Sequence, residues 1–335
     1  MRSVQPGLLA LVISMLAFPP LMLAIDEPFY ITLLTRIMIL ALAASSLNFV
    51  LGYGGMVSFG HAAFWGVGGY VVVILADSAV TSAWVSWPLA IAITAMLGLA
   101  IGAVSLRTKG VYFIMITLAF AQMLFFLFTS LRAYGGQDGI RMGGRSLVFP
   151  GVDLTNNTVF YYVVAALLLG SLYLLHRIIH SRFGHVLQSI HTNESRMMAI
   201  GYPVYSYKLV GFVIGAGLAG LAGALNANLN TFISPNSLAW PFSGALMVMV
   251  ILGGVGRFWG GVVGAFVFIL LETVLESFTI YWQFGVGVVL LVIVLAAPQG
   301  ITGLVAQAQE RFAPSATREP VTENVPEPEA EKVVS

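Results

Sequence analysis

The feature that most constrains this chain is the length of its apolar runs. Several exceed the ~20 residues that a helix needs to cross a bilayer. In lipid every backbone donor and acceptor must find a partner inside the protein, which leaves helices or a closed barrel. The apolar/polar alternation of barrel strands is absent. Charged residues make up 9% of the chain and hydrophobic residues 59%, against roughly a quarter charged in a soluble domain. The expected fold class is therefore an all-α polytopic membrane protein. A net charge of +1 says little about partners, and no nucleic-acid partner is expected. The absence of cysteine excludes disulfides, thiolate metal sites and cysteine nucleophiles.

About ten transmembrane helices are expected, over 7–25, 29–51, 56–76, 87–106, 110–131, 158–179, 208–229, 242–256, 258–278 and 283–304. The first run is too long for a signal peptide and lacks a small-residue cleavage site, so it is read as a retained span. The eighth is short and the third begins in a glycine-rich stretch, so either can be re-entrant. Lys and Arg concentrate in cytoplasmic loops. With both termini inside, the inner segments carry Arg2, Arg107, Lys109, Arg177, Arg182, Arg196, Lys208, Arg257 and Arg311. The outer segments 76–87, 229–242 and 278–283 carry none, and the long outer loop with Arg132, Arg141 and Arg145 is the exception. A transmembrane domain over 1–308 is thus followed by a Pro- and Glu-rich segment, 309–335, expected to be a disordered cytoplasmic tail. "GGMVSFGHAAFWG" and "GGVGRFWGGVVGAF" echo one another at the inner boundary, as an internal repeat would.

One inner loop, 180–207, is a polar island in this apolar chain. Phe183, Val186, Leu187 and Ile190 fall on one helical face. After "HTN", Asn193 is a good N-cap, Glu194 suits the positive end of a helix dipole, Gly201 suits a left-handed C′ position and Pro203 stops continuation. A helix of about two turns, Glu194 to Ile200, is expected to present Met197, Met198 and Ile200 beside Arg196. It is either a loop helix lying on the bilayer or an element that docks on a cytoplasmic partner.

The stretch "SRFGHVLQSIHTNESRMMAIGYPVYSYKLVGFVIGAGLAGLAGAL" resembles the signature of the branched-chain amino acid permease family of ABC importers. Phe183-Gly184, Asn193-Glu194, Ala199 to Gly201, Lys208-Leu209 and Ala219 to Gly223 carry the likeness. "GGMVSFGHAAFWGVGGY", "KGVYFIMITLAFAQML", "YGGQDGI" and "FISPNSLAWPFSGALMVMVILGGVGRFWGGVVGA" follow in the family's order, so the match covers roughly residues 30–300. His185 and His191 stand where the family often has arginine. The resemblance implies a fold like that of the vitamin B12-type importer permeases. It implies that Glu194, Arg196, Met197, Ala199 and Gly201 form a coupling helix that enters an ATPase subunit. The implied partners are a second homologous permease, two ABC ATPase subunits, a periplasmic substrate-binding protein and the lipid bilayer of a bacterial inner membrane.

No lysine sits in a Gly-x4-Gly-Lys loop, so this chain is expected to bind no cofactor, with ATP and Mg used by the partner subunits. No catalytic residue and no metal site is expected. Candidates for the substrate path are Ser58 and His61 in "SFGHAAF", Thr117 and Gln122 in the fifth span, and Glu272 in the ninth. Ser58 and His61 either satisfy backbone groups at a helix start or line the path or its inner gate. Glu272, ionisable inside the membrane, either pairs with Arg36 or takes part in substrate or proton transfer. Asn226, Asn228 and Asn230 are expected to satisfy an outward helix end, and the glycines of "GFVIGAGLAGLAG" to permit close helix packing. Apolar amino acids fit a path with few fixed charges. Urea or a short-chain amide fits it as well, and an ion-coupled secondary transporter is the alternative of a different class.

Overall fold

The computed structural model describes residues 18–20, 22, 27–147, 154–278, 280–296 and 300–304. The expected span 7–25 lies outside them, apart from four residues, and the tail 309–335 lies wholly outside. Among the described residues the helices are α1 (Pro28–Asn48), α2 (His61–Asp77), α3 (Ala83–Ser105), α4 (Val111–Ser130), α5 (Asn157–Ile179), α6 (Arg182–Thr192) and α7 (Glu194–Ala199). They continue with α8 (Val204–Asn230), α9 (Trp240–Gly253), α10 (Gly260–Phe278) and α11 (Trp282–Ala296). Six are long and apolar enough to cross a membrane: α1 with its extension to Tyr53, α3, α4, α5, α8 and α10. The helices α2, α9 and α11 are apolar but shorter. This is an all-α membrane protein.

The centre of the fold is α8, which packs on α3, α2 and α1, while α1 also packs on α10 and α5. Glycine lets these backbones touch. A Cβ on Gly220 would lie 2.1 Å from the Thr94 hydroxyl of α3, and one on Gly223 would lie 1.8 Å from the Trp65 carbonyl of α2. The small-residue reading of this helix therefore holds: α8 meets the Thr94 side chain at Gly220 and the main chain of α2 at Gly223.

At the end expected outside, Arg145 closes the long loop. Its guanidinium donates to the carbonyls of Asn228 (3.1 Å) and Leu154 (2.8 Å) and to Asn157 Oδ1 (2.8 Å), and lies 4.7 Å from the Phe160 ring centre. One of the three arginines that break the charge rule is thus a structural pin. Asn228 also holds this loop, accepting from Ser146 N at 2.8 Å, while Asn230 donates to Asn226 at 3.1 Å. A two-residue antiparallel ladder, β1 (Ile140–Arg141) with β2 (Phe232–Ile233), completes the closure.

At the opposite end α1 runs on as a π turn, Phe49–Tyr53. Asn48, buried, donates from Nδ2 to Arg257 O (2.7 Å) and accepts from Gly256 N (2.9 Å). It satisfies two backbone groups of the non-helical link between α9 and α10. That link, part of the second echoed stretch, lies against the π turn that leads into the first: a Cβ on Gly52 would meet Gly256 N at 2.3 Å.

Candidate functional site

The polar island folds as two short helices. Ser181 caps α6, its Oγ accepting from Gly184 N at 3.3 Å, and α6 buries Leu187 and Ile190. Asn193 then breaks the chain direction and caps α7, its Oδ1 accepting from Arg196 N at 2.9 Å. At the other end Gly201 has φ +95°, with Tyr202 N donating to Met197 O (3.1 Å) and Gly201 N to Met198 O (3.0 Å). That pair of bonds is the Schellman arrangement, which needs a left-handed residue at C′. A six-residue helix is marginal alone, and here both of its ends are capped.

Arg196, Ala199 and Gly201 are exposed, as are Met198 (48%) and Ile200 (65%). Met197 departs from the sequence expectation. It is buried in a small cluster with Ile190 and Val204, because a helix packed on one face must turn a residue inward. The outward surface is therefore Arg196, Met198 and Ile200, and Met197 is its anchor.

Glu194 does more than favour a helix dipole. Its carboxylate accepts from Lys208 Nζ at 2.8 Å and from Lys109 Nζ at 3.0 Å. Partial burial pushes this carboxyl up. The hydrogen bonds from Lys208 and Lys109 outweigh it and hold the group below the usual carboxylate range. The loop is thereby tied to the segment before α4 and to the first turns of α8. The His191 ring covers Gly55, where a Cβ would lie 2.6 Å from Cδ2.

The expected third span begins late. Residues 54–60 are not helical, and α2 starts only at His61. Non-helical backbone at membrane depth is tolerated where protein satisfies it, and polar side chains do so here. Thr117 Oγ1 accepts from Phe59 N (3.3 Å), and Ser58 Oγ accepts from Gly60 N (3.1 Å). Ser243 of α9, absent from the sequence reading, donates to Phe59 O (2.7 Å) and accepts from Ala62 N (2.8 Å). His61 is fully buried, and neither ring nitrogen has a hydrogen-bond partner among the described residues.

Ser58, Thr117 and Ser243 are therefore brought together on the backbone of residues 59–62, while the His61 ring lies against Phe64 and the Gly215 position of α8. The other two path candidates stand apart. Gln122 follows Thr117 by five residues, which turns it to another face of α4; Thr117 is buried and Gln122 half-buried. Glu272 on α10 takes two contacts from Arg36 Nη2 at 3.3 and 3.4 Å. The ion-pair reading of Glu272 is the one the geometry matches.

Residues 29–297 match the family described as branched-chain amino acid transport system, permease component. The chain is 27% identical over 309 residues to the high-affinity branched-chain amino acid transport system permease protein LivM of Salmonella typhimurium, covering 84% of this chain and 73% of that one. It is 26% identical to LivM of Escherichia coli over the same extents. It is 25% identical over 280 residues to the probable LivM of Methanocaldococcus jannaschii, covering 72% of this chain and 80% of the relative. No solved structure matches. A multi-pass helical bundle with this family match over most of its length has one assignment: the chain belongs to the permease-component family of branched-chain amino acid transport systems.

Proposed function

We propose that this chain is the membrane-spanning subunit of an ATP-driven importer for branched-chain or other apolar amino acids. The family match across residues 29–297 carries the reading. The substrate class is supported by the names of the curated relatives, each a branched-chain amino acid transport permease. In this reading a periplasmic binding protein delivers the substrate, and a second, homologous permease completes the path. Two ATPase subunits bind ATP and Mg and push on α7 through Arg196, Met198 and Ile200. Glu194, Met197, Ala199 and Gly201 set the shape and seating of that helix. Ser58, His61 and Thr117 line or gate the inner part of the path. The fold is of the vitamin B12 importer type with ten spans, both termini are cytoplasmic, and the membrane is the bacterial inner membrane.

The test is labelled leucine uptake into proteoliposomes that hold this chain with its partner permease, ATPase subunits and binding protein. Uptake is expected to need ATP at the α7 side and to vanish when residues 194–201 are scrambled. Uptake by this chain alone, driven by an ion gradient without ATP, refutes the importer reading. Competition by urea or short amides in place of leucine moves the substrate assignment to those compounds.

A further inference from the structure

Beside the coupling loop lies a pocket of about 200 Å³ that the transport reading does not use. It is smaller than the ~300–1,000 Å³ of sites for drug-sized ligands, so its occupant is of single-amino-acid size. One part of its wall is aliphatic and aromatic: Met56, Leu106, Phe113 and Ile114. The other part is charged: Lys109, Glu194 and Lys208.

We propose that this pocket binds a free zwitterionic amino acid with an aliphatic side chain, presented from the ATPase side of the membrane. Lys109 takes its carboxylate and Glu194 its ammonium group, while the side chain lies against Met56, Leu106, Phe113 and Ile114. The three protein charges sum to one surplus positive charge, which favours a carboxylate. Their hydrogen-bonding capacity is not exhausted. Each ammonium has three donors and each carboxylate about four acceptor sites, whereas Glu194 receives only one bond from each lysine. The wall before α4 adds to this. Gly110 has φ +61° with open space where its Cβ would be, and the first turn of α4 has neither a side-chain cap nor an acidic residue. Uncapped backbone N–H groups there favour the carboxylate end of a ligand.

The consequence rests on the importer reading. Glu194 is the first residue of α7 and already bonds Lys109 in the segment before α4, so a ligand held by both, and packed on Phe113 and Ile114, reinforces that tie of the coupling helix to α4. Imported product then slows the machine that imported it.

Binding of labelled L-leucine is measured on the full-length chain in nanodiscs, with no other subunit present. Saturable one-to-one binding is expected. Competition by 4-methylpentanoate, which lacks the ammonium group, and by 3-methylbutylamine, which lacks the carboxylate, is expected to be roughly tenfold weaker or more. Lys109→Gln, at a side chain that is 68% exposed and leaves the Lys208–Glu194 bridge in place, is expected to weaken binding by a similar factor. In the assembled importer, leucine preloaded on the ATPase side slows uptake, and Lys109→Gln removes the slowing relative to its own unloaded rate. Absent saturable binding in a wild type that transports, or equal affinity in Lys109→Gln, overturns the pocket. Binding with this ligand pattern in a chain that shows no ATP-driven uptake upholds the pocket and overturns the importer reading instead.

Discussion

Gly223→Ala is expected to disrupt the centre of the bundle. An added Cβ would lie 1.8 Å from the Trp65 carbonyl oxygen, where ordinary contact begins at 3.4 Å. The crossing of α2 and α8 is thus short of room by about 1.6 Å, and the obstacle is main chain rather than a side chain that can swing away. Nor can α2 slide to give room, because one turn further along α2 a Cβ on Gly68 would already sit 2.1 Å from Gly220 O. Overpacking costs about 1–3 kcal/mol where side chains can adjust; with backbone on both sides the loss is expected at about 3 kcal/mol or more. At ~2 °C or more per kcal/mol, that lowers the unfolding midpoint by roughly 6 °C. The control is Gly170→Ala on α5, where nothing lies within 4 Å of the new methyl. There alanine is expected to stabilise by about 0.5–1 kcal/mol through helix propensity alone. Thermal unfolding of the detergent-solubilised chain, followed by tryptophan fluorescence, compares the two. Midpoints for both variants within a degree of wild type would show that α2 and α8 do not meet as closely as described.

Asn48→Ala strands Gly256 N and Arg257 O, and is expected to cost about 2 kcal/mol or more in the same unfolding assay, since each buried group left unpaired loses about 1–3 kcal/mol. The Glu194 carboxyl is held below its ordinary range in the folded loop, so its stabilisation is complete at neutral pH. That stabilisation is lost as the pH falls from the usual carboxylate range through the depressed folded value. Amide exchange over residues 194–200, corrected for its intrinsic pH dependence, should accelerate there; Glu194→Gln should exchange fast throughout, with no such step. For Arg36→Gln and Glu272→Gln, a double-mutant cycle is expected to give a coupling of about 0.6–1.7 kcal/mol, the range of polar contacts between membrane helices. Strictly additive losses would mean the two side chains do not pair in the membrane.

What the sequence disclosed depended on whether the signal was local. The caps of α7 were legible because Asn193, Gly201 and Pro203 act on their immediate neighbours, and each takes the conformation its type favours. The Arg36–Glu272 pair was legible for another reason: two charges in apolar helices have few other places to go. Hydropathy says nothing about main-chain conformation, so "GGMVSFG" read as the start of a span although residues 54–60 are not helical. The groups that make that segment tolerable, Thr117 and Ser243, come from helices far along the chain, and no spacing rule links them to Phe59. The two lysines on Glu194 were hidden similarly. A lysine near a membrane boundary is by default solvated, and only the folded arrangement brings Lys109 and Lys208 to one carboxylate.

Under the importer reading, the non-helical segment 54–60 is the part of the fold best placed to move. His191 presses on it at Gly55, and Lys109, which holds Glu194, lies in the loop that leads into α4. Further along the segment, Phe59 is bonded through its N–H to Thr117 on α4 and through its carbonyl to Ser243 on α9. Gly54, Gly55 and Met56 still donate to carbonyls of the π turn, so a displacement of the polar island reaches α4 and α9 chiefly through residues 57–60, whose bonds to those helices run through side chains. Those side-chain hydrogen bonds can be exchanged one at a time, whereas a helix yields only cooperatively. His61 follows directly, fully buried, with both ring nitrogens unpartnered among the described residues. Such a group is costly where it sits, so any arrangement of 54–60 that gives the imidazole a partner is favoured by that amount. Under that reading the segment joins the polar island to α4 and α9 and has a chemical reason to rearrange.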